Sequence, residues 1–410
     1  MCNTMKYLCL LGIALCMPHA LRAETLTLQE ALTRVLADHP LIAIQQYEAE
    51  KAQGQRQTAS QWPNPTLGYR REDLRDKGLE SGEWIAGMGV HLNRLWMRGA
   101  RIEAAEAQFQ MASLNTIQLR NTLRFAMQEA YVQTYFAAQR QRIWHTVSAL
   151  FVEATRIGRE RLAEGDIGHY EQQRLTLEAS QYHQREALAR VRWTQQQQRV
   201  GLLLDPENRH ASYDLAPVEL DSSLVVDLPS LEKQALKNRA DVLLAQAEYH
   251  VREAEQRVAR RQQWPETQLF VGYKEQTDNF RGVAAELSLE LPFFDRNQGE
   301  IRRTEAMAGQ QIRRAEWQEQ QALQEVRQAY ARYRLYREQV NRIDRDQAPE
   351  QMLEIARYAY GEGEMSLVEW IDAIRAYGET FVLRFELMEQ YQLSLFELER
   401  ATATALVYPE

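Results

Sequence analysis

Most of the chain repeats apolar residues every three to four positions, or every second such step, which places them on one face of a helix. The longest run starts near Arg98 and continues to about Ala163 without a proline. At roughly 1.5 Å per residue, a helix of this length extends about 100 Å. The same pattern predicts further helices over residues 28–61, from just after Asp166 to about Leu204, and near 230–263, 297–361 and 366–405. The sequence therefore predicts a mainly α-helical protein built from long rods.

A period of two replaces the helical period in short segments, which we interpret as β-strands. They cover residues of about 65–71, 84–92, 267–274 and 284–291. Each has about the ten residues that a tilted membrane strand needs. Two ordinary hairpins on a soluble domain are the competing interpretation. Four strands are too few to close a membrane-spanning barrel, so the barrel interpretation requires several chains.

The two halves of the chain repeat each other. Trp62-Pro63 returns as Trp264-Pro265 about 200 residues later, and Gly165 corresponds to Gly363 at nearly the same spacing. Each half has the order short helix, two strands, very long helix, tip and medium helix. We therefore predict a first repeat over residues 24–204, a linker over 205–229 and a second repeat over 230–410.

Each Trp-Pro pair ends a helix and precedes a predicted strand. Pro63 disfavours helical geometry at Trp62 and lacks a backbone donor, and Pro265 acts in the same way on Trp264. We therefore assign all four residues to a helix-to-barrel junction. The two tryptophans are equally compatible with packing at this junction and with an interfacial aromatic girdle.

Residues 1–23 have the features of a signal peptide. Lys6 precedes an apolar stretch over residues 7–15, and Ala23 provides a small residue for cleavage. A membrane anchor is the weaker interpretation, because nine apolar residues are too few to span a bilayer. Lipidation at Cys16 is a third interpretation, although Leu15 is bulky for the residue that precedes a lipidated cysteine.

The composition and the absence of motifs narrow the function. All cysteines precede Ala23, so the predicted mature chain has no thiolate metal site. The net charge is -8, which is unfavourable for binding nucleic acid. The chain has no P-loop, no Ser-based elbow, no HExxH and no CxxC, and its histidines are scattered. We therefore expect no enzyme, no cofactor and no protein-ligated metal.

The chain resembles the outer-membrane-factor (TolC) family over essentially its whole predicted mature length. The resemblance rests on the duplicated helix–hairpin–helix order and on four motifs: WPNP at the strand entry, RGARIEAAEAQ at the start of the long helix, and the tips EGDIGHYE and EGEMSLVEWIDA. The compact length and WPNPTLGY are most similar to the heavy-metal, CzcC-like branch. Residues 93–97, NRLWM, depart from the family, since many relatives have a Gly-Gly-Lys-type turn there.

The resemblance implies a fold and a set of partners. It implies a homotrimer in which four strands per chain form one twelve-stranded outer-membrane β-barrel, set in outer-membrane lipid. A long periplasmic α-helical coiled-coil barrel would continue it as a tunnel. Channels of this kind complete tripartite pumps, with a periplasmic adaptor protein and an inner-membrane RND-type transporter.

At the tips, the resemblance implies a periplasmic aperture and contacts with the adaptor. In a trimer, two corresponding pairs would surround this aperture with carboxylates: Glu164 with Glu362, and Asp166 with Glu364. Rings of carboxylates favour cations in a narrow opening. Helix capping is the alternative role of Asp166, and Ser366 with Glu369 forms a capping-box pattern. Gly165 and Gly363 would let the chain reverse its direction.

The leading functional hypothesis is a passive outer-membrane duct for a proton-driven pump that exports heavy-metal cations. Efflux of drugs or other small molecules and type I secretion of proteins are alternatives within the duct class. A soluble periplasmic coiled-coil interaction protein is the alternative from another class, since the helices alone would suffice for it.

Overall fold

The computed structural model describes residues 25–76, 79–206, 213–218, 224–343 and 349–406. The predicted signal peptide, Cys16 and parts of the predicted linker lie outside these residues. The structure has two short strands, β1 Thr25–Leu26 and β4 Asp214–Leu215. The four longer strands are β2 Thr66–Asp76, β3 Leu79–His91, β5 Thr267–Gln276 and β6 Arg281–Leu289. The helices are α1 Leu28–Asp38, α2 Pro40–Ser60, α3 Asn93–Glu164, α4 His169–Leu204, α5 Leu228–Asn238, α6 Ala240–Arg261, α7 Gln298–Ile343, α8 Pro349–Gly361 and α9 Leu367–Thr402. None of the helices described is long and apolar enough to cross a membrane.

Two predicted single helices are each divided in two. The break in the first half is at His39, which has extended backbone geometry (ψ 128°) because Pro40 follows it. The second half breaks at Arg239 (ψ 122°) without a proline. There the Arg239 guanidinium donates hydrogen bonds to Asp241 at 2.6 Å and to Glu325 at 2.7 Å. Tertiary contacts therefore accompany a break that the sequence pattern does not reveal.

Several predicted boundaries also differ from the structure. Helix α3 starts at Asn93 rather than near Arg98, so the NRLWM segment belongs to the helix. The polar residues 72–83, which lie between the predicted strands 65–71 and 84–92, mostly continue strands β2 and β3, and Glu72 pairs with Glu83. Backbone ladder bonds do not require apolar side chains, and for this reason the hydrophobic pattern marks only part of each strand.

The four longer strands form one antiparallel sheet in the order β2-β3-β5-β6. The central β3–β5 pair joins the two halves of the chain. The register places one set of alternate residues on a predominantly apolar face, as the period of two predicted. This face carries Leu67, Tyr69, Trp84, Ala86, Met88, Val90, Leu269, Val271, Tyr273, Val283, Ala285, Leu287 and Leu289. The opposite face carries mainly polar side chains and glycines.

Glycines on the polar face allow the central strands to approach very closely. A Cβ atom on Gly87 would lie 2.3 Å from the Val271 carbonyl oxygen, and one on Gly272 would lie 2.7 Å from the Ala86 carbonyl oxygen. The Phe270 ring occupies the space above these glycines. Glycine is therefore required at this point for the close approach of β3 and β5.

The long helices lie side by side in one layer. Near the sheet the order is α2, α3, α6 and α7, and further from it the order is α4, α3, α9 and α8. Near the sheet the helices pack through small residues, which on α7 recur every seven positions as Ala308, Ala315, Ala322 and Ala329. Further away the core is aromatic and includes Phe151, Tyr182, Tyr360 and Trp370. The seven-residue spacing of the alanines on α7 keeps two helices in contact over a long distance.

We predict that Gly87→Val lowers the free energy of unfolding by about 1–3 kcal/mol or more, because the added side chain collides with the backbone of β5. The measurement is unfolding in detergent, followed by circular dichroism. Gly282→Val is the matched control, since a Cβ there meets nothing within 4 Å. Equal stability of the two variants would contradict the close approach of β3 and β5.

Candidate functional site

The two helix-to-strand junctions have the same layout. Helix α2 ends at Ser60 before β2, and α6 ends at Arg261 before β5. Trp62 and Trp264 lie in these connections, and 70% and 60% of their surfaces are exposed. Pro63 and Pro265 directly follow the two tryptophans, between the end of each helix and the start of the next strand.

Each junction is closed by a side chain that sequence reasoning missed. The Arg98 guanidinium donates to the Ser60 carbonyl oxygen (3.1 and 2.5 Å) and lies 4.9 Å from the centre of the Trp62 ring. In the second half, the Asn297 amide donates to the Ala259 carbonyl oxygen at 2.9 Å. Both residues lie at the start of the next long helix, in segments that correspond between the halves. This correspondence between the halves is the sequence signal that could have indicated both residues.

The two tips also share one backbone geometry. Gly165 (φ 85°) and Gly363 (φ 78°) are left-handed, a conformation that glycine adopts without steric cost. The Asp166 N–H donates to the Arg161 carbonyl oxygen at 2.9 Å, and the Glu364 N–H donates to the Ala359 carbonyl oxygen at the same distance. Helices α3 and α8 therefore end in the same type of C-terminal turn.

The structure decides which tip residues cap the helices that follow. Asp166 does not cap α4, and that prediction is wrong. The N-cap is Gly168, whose N–H donates to the Glu171 carboxylate at 2.8 Å. At the second tip, Ser366 caps α9, and its N–H and hydroxyl donate to Glu369 at 2.9 and 2.7 Å. These bonds hold the pKa of the Glu369 carboxyl below its usual value.

The four candidate aperture carboxylates are exposed and occupy equivalent positions in the two turns. Glu164 and Asp166 flank Gly165, and Glu362 and Glu364 flank Gly363. Because Asp166 has no capping role, its side chain is available for another function. The structure brings the two turns together at one end of the molecule through Arg161.

Arg161 joins the two tips, and sequence reasoning missed it. Its guanidinium donates to the Tyr360 carbonyl oxygen at 2.6 Å and lies 4.6 Å from the centre of the Tyr360 ring. The Tyr360 ring stacks on Trp370 with a centroid separation of 5.6 Å. Burial raises the pKa of the Tyr360 hydroxyl. No sequence signal separates Arg161 from the other arginines of α3.

Ion pairs between helices also form further from the tips. They join α8 to α3, α9 to α4 and α9 to α3: Arg357 with Glu153, Arg375 with Glu178, and Arg140 with Glu389. Burial raises the pKa of the Glu389 carboxyl, although Arg140 opposes the shift. Since a buried carboxylate is costly without a partner, these pairs favour one alignment of the helices.

Histidine and carboxylate side chains do not assemble a metal centre in the part of the chain that the structure describes. His145 instead contacts the buried Glu186 carboxylate at 2.9 Å, which links α3 to α4. Arg190 contacts the same carboxylate at 3.0 Å.

Comparison with known proteins finds similarity to outer membrane efflux proteins. Residues 231–404 match the family model described as Outer membrane efflux protein. The chain is also 26% identical over 280 residues to the cobalt-zinc-cadmium resistance protein CzcC of Cupriavidus metallidurans. That alignment covers 68% of this chain and 66% of CzcC, slightly less than two thirds of the relative's length.

Solved structures share the fold. The open state of the Neisseria gonorrhoeae MtrE outer membrane channel has a TM-score of 0.75 at 18% identity, covering 92% of this chain and 89% of that one. VceC of Vibrio cholerae has a TM-score of 0.73 at 15% identity, covering 93% and 97%. The Campylobacter jejuni CmeC outer membrane channel has a TM-score of 0.74 at 16% identity, covering 92% and 85%. At these identities the likeness concerns the fold alone.

The predicted resemblance to outer membrane efflux proteins and the predicted outer-membrane location are thus confirmed. The family is one of efflux proteins rather than of enzymes. The functions of the tip and junction residues stay predictions.

We predict that Arg161→Ala loosens the contact between the tips, because Tyr360 loses both a charge-assisted hydrogen bond and a cation–π contact. Amide hydrogen exchange over residues 358–366 should become faster. Arg159→Ala, which removes an exposed arginine from the same helical turn, is the control and should leave exchange unchanged. Identical exchange in the two variants would show that Arg161 does not hold the tips together.

Proposed function

We propose that the chain is one subunit of a homotrimeric outer-membrane efflux channel. The observation that carries the proposal is the four-stranded sheet, which has an apolar and a polar face and ends in two long edge strands. In the described structure, β2 and β6 each pair on one side only. Unpaired edges of this length are a liability that closure removes. Pairing β6 of one copy with β2 of the next would close three sheets into a twelve-stranded barrel.

The two faces of the sheet support this arrangement. Leu67 and Val283, on the apolar face, have 85% and 81% of their surfaces exposed. Outer-membrane lipid would cover such residues and make their exposure favourable. Arg70, Glu83 and Lys274 lie on the opposite face, where an aqueous lumen would solvate them. The glycines at Gly87 and Gly272 allow curvature towards this polar face.

The outermost helices of the layer also carry exposed apolar residues. Near the sheet these are Leu41, Ile44 and Tyr47 on α2, and Ile312 and Trp317 on α7. Further away they are Leu177, Leu188 and Val191 on α4, and Met352 and Ile355 on α8. Two copies of the chain side by side would cover both sets. The helices would then form a closed periplasmic tunnel below the barrel.

We assign the channel to a tripartite pump for heavy-metal cations. The name of the relative CzcC, a cobalt-zinc-cadmium resistance protein, supports this substrate class. The periplasmic tip would dock to an adaptor protein, with Gly165, Gly363, Ser366 and Glu369 at the contact, and an RND-type transporter in the inner membrane would supply the substrate. The channel itself would conduct passively, and nucleic acid is not among the expected partners.

Deleting the gene should increase sensitivity to cobalt, zinc and cadmium, because the final step of export is lost. The expected result is a lower growth-inhibiting metal concentration, restored by the wild-type gene, with no change for uncharged drugs. Sensitivity to drugs without sensitivity to metals would favour a drug-efflux duct instead. Recovery of the mature protein in the soluble periplasmic fraction would contradict the channel itself.

A double variant, Asp166→Asn with Glu364→Gln, tests the acidic aperture because it neutralises both carboxylates. In planar bilayers we expect the reversal potential in a KCl gradient to shift away from cation preference, because each trimer loses two rings of charge. Asp38→Asn, which removes an exposed carboxylate of α1 far from the tips, is the control. Unchanged cation preference in the double variant would remove the aperture assignment.

A further inference from the structure

Two adjoining open cavities lie along one side of the helix layer near the sheet. The first has a volume of about 830 Å³ and is lined by residues of α2, α3, α6 and α7. The second, about 750 Å³, is lined by the same four helices further from the sheet. Because all four helices of the layer line the same cavity, the cavity lies on the concave side of the layer. In the proposed trimer, on which this inference rests, the concave side faces the tunnel.

Each of the four helices contributes one cation to the first cavity: Lys51 from α2, Arg101 from α3, Arg252 from α6 and Arg303 from α7. We call these four residues the basic belt. The carboxylates among the lining residues of this cavity are Glu255 and Glu300. This concave surface is therefore positive, although the whole chain has a net charge of -8.

Ion pairing neutralises most of the basic belt but leaves one charge exposed. Three of its members pair with a carboxylate on their own helix: Lys51 with Glu48, Arg252 with Glu255, and Arg303 with Glu300. Among the residues that the structure describes, Arg101 has no such partner, and its side chain is exposed. A trimer would therefore place three unpaired arginines around the tunnel at one level.

The basic belt lies far from the acidic tips. Arg101 and Glu164 are separated along α3 by about 95 Å, at roughly 1.5 Å per residue. Electrostatic screening acts over about 10 Å at 0.1 M salt, and about 30 Å at 0.01 M. The two charged regions therefore act on ions independently.

We propose that the basic belt binds small multivalent oxyanions, such as phosphates, and gives the upper tunnel a charge preference opposite to that of the tip. Guanidinium groups match the geometry of phosphate oxygens, and rings of arginine or lysine line anion-selective pores. Cations admitted at the acidic tip would then not be retained near the sheet. Anions concentrated by the belt would accompany them to the exterior.

The experiment measures block of single trimers in planar bilayers by inorganic tripolyphosphate, at low salt. Wild-type current should be blocked reversibly, with weaker block at higher salt. Arg101→Glu replaces three positive charges per trimer by three negative ones, so the blocking concentration should rise about tenfold or more. Arg101→Gln should give an intermediate value, and it tests the same point if the charge reversal hinders assembly.

Arg120→Glu is the matched control, because Arg120 is exposed on the same helix and lines neither cavity. It should be blocked like the wild type. If Arg101→Glu and Arg101→Gln form conducting trimers that tripolyphosphate blocks at the wild-type concentration, the basic belt is overturned. The channel assignment then remains intact. Absence of any channel activity from the wild-type protein would instead overturn the proposed function, and the belt with it.

Discussion

The rest of the structure depends on the arrangement of long helices in a single layer. A helix in such a layer buries two narrow flanks and leaves its other sides to solvent or to a partner. Alanines at heptad spacing, such as Ala308 and Ala315, allow close contact near the sheet. Further away, aromatic residues fill wider spaces between α3, α4, α8 and α9. A thick globular core is therefore absent among the described residues, and apolar stripes that are narrow in sequence are sufficient for packing.

This constraint gives special importance to the points where the layer begins and ends. At the sheet end, Arg98 and Asn297 donate hydrogen bonds to carbonyl groups that the ends of α2 and α6 leave free. At the opposite end, two left-handed glycines reverse the chain, and Arg161 bonds one turn to the other. The charged groups proposed to act on ions lie between and around these ends, on surfaces that helix packing does not use.

The sequence predicted a large part of the fold. Heptad-like spacing marked the long helices, alternation marked the apolar face of the strands, and the Trp-Pro pairs marked the junctions. The break at His39 was overlooked although Pro40 signals it, whereas the break at Arg239 has no local signal. The polar ends of β2 and β3 lie beyond the predicted strands, because ladder bonds are made by the backbone and leave no hydrophobic pattern. Capping, the alternative role of Asp166, is wrong, since α4 starts at the N-cap Gly168 and Glu171 accepts the Gly168 N–H.

By itself, the sequence determined the type and order of the elements, because periodicity and proline act locally along the chain. It also carried the resemblance to outer membrane efflux proteins, through motifs that correspond between the two halves. Only the tertiary structure decided which distant residues meet: Arg161 with Tyr360, Glu178 with Arg375, and Gly87 with the backbone of β5. It likewise decided that Arg101 shares a concave surface with cations from three other helices. These contacts depend on how long helices are aligned in space, and a shift of one helical turn, which local sequence patterns do not exclude, would replace every one of them.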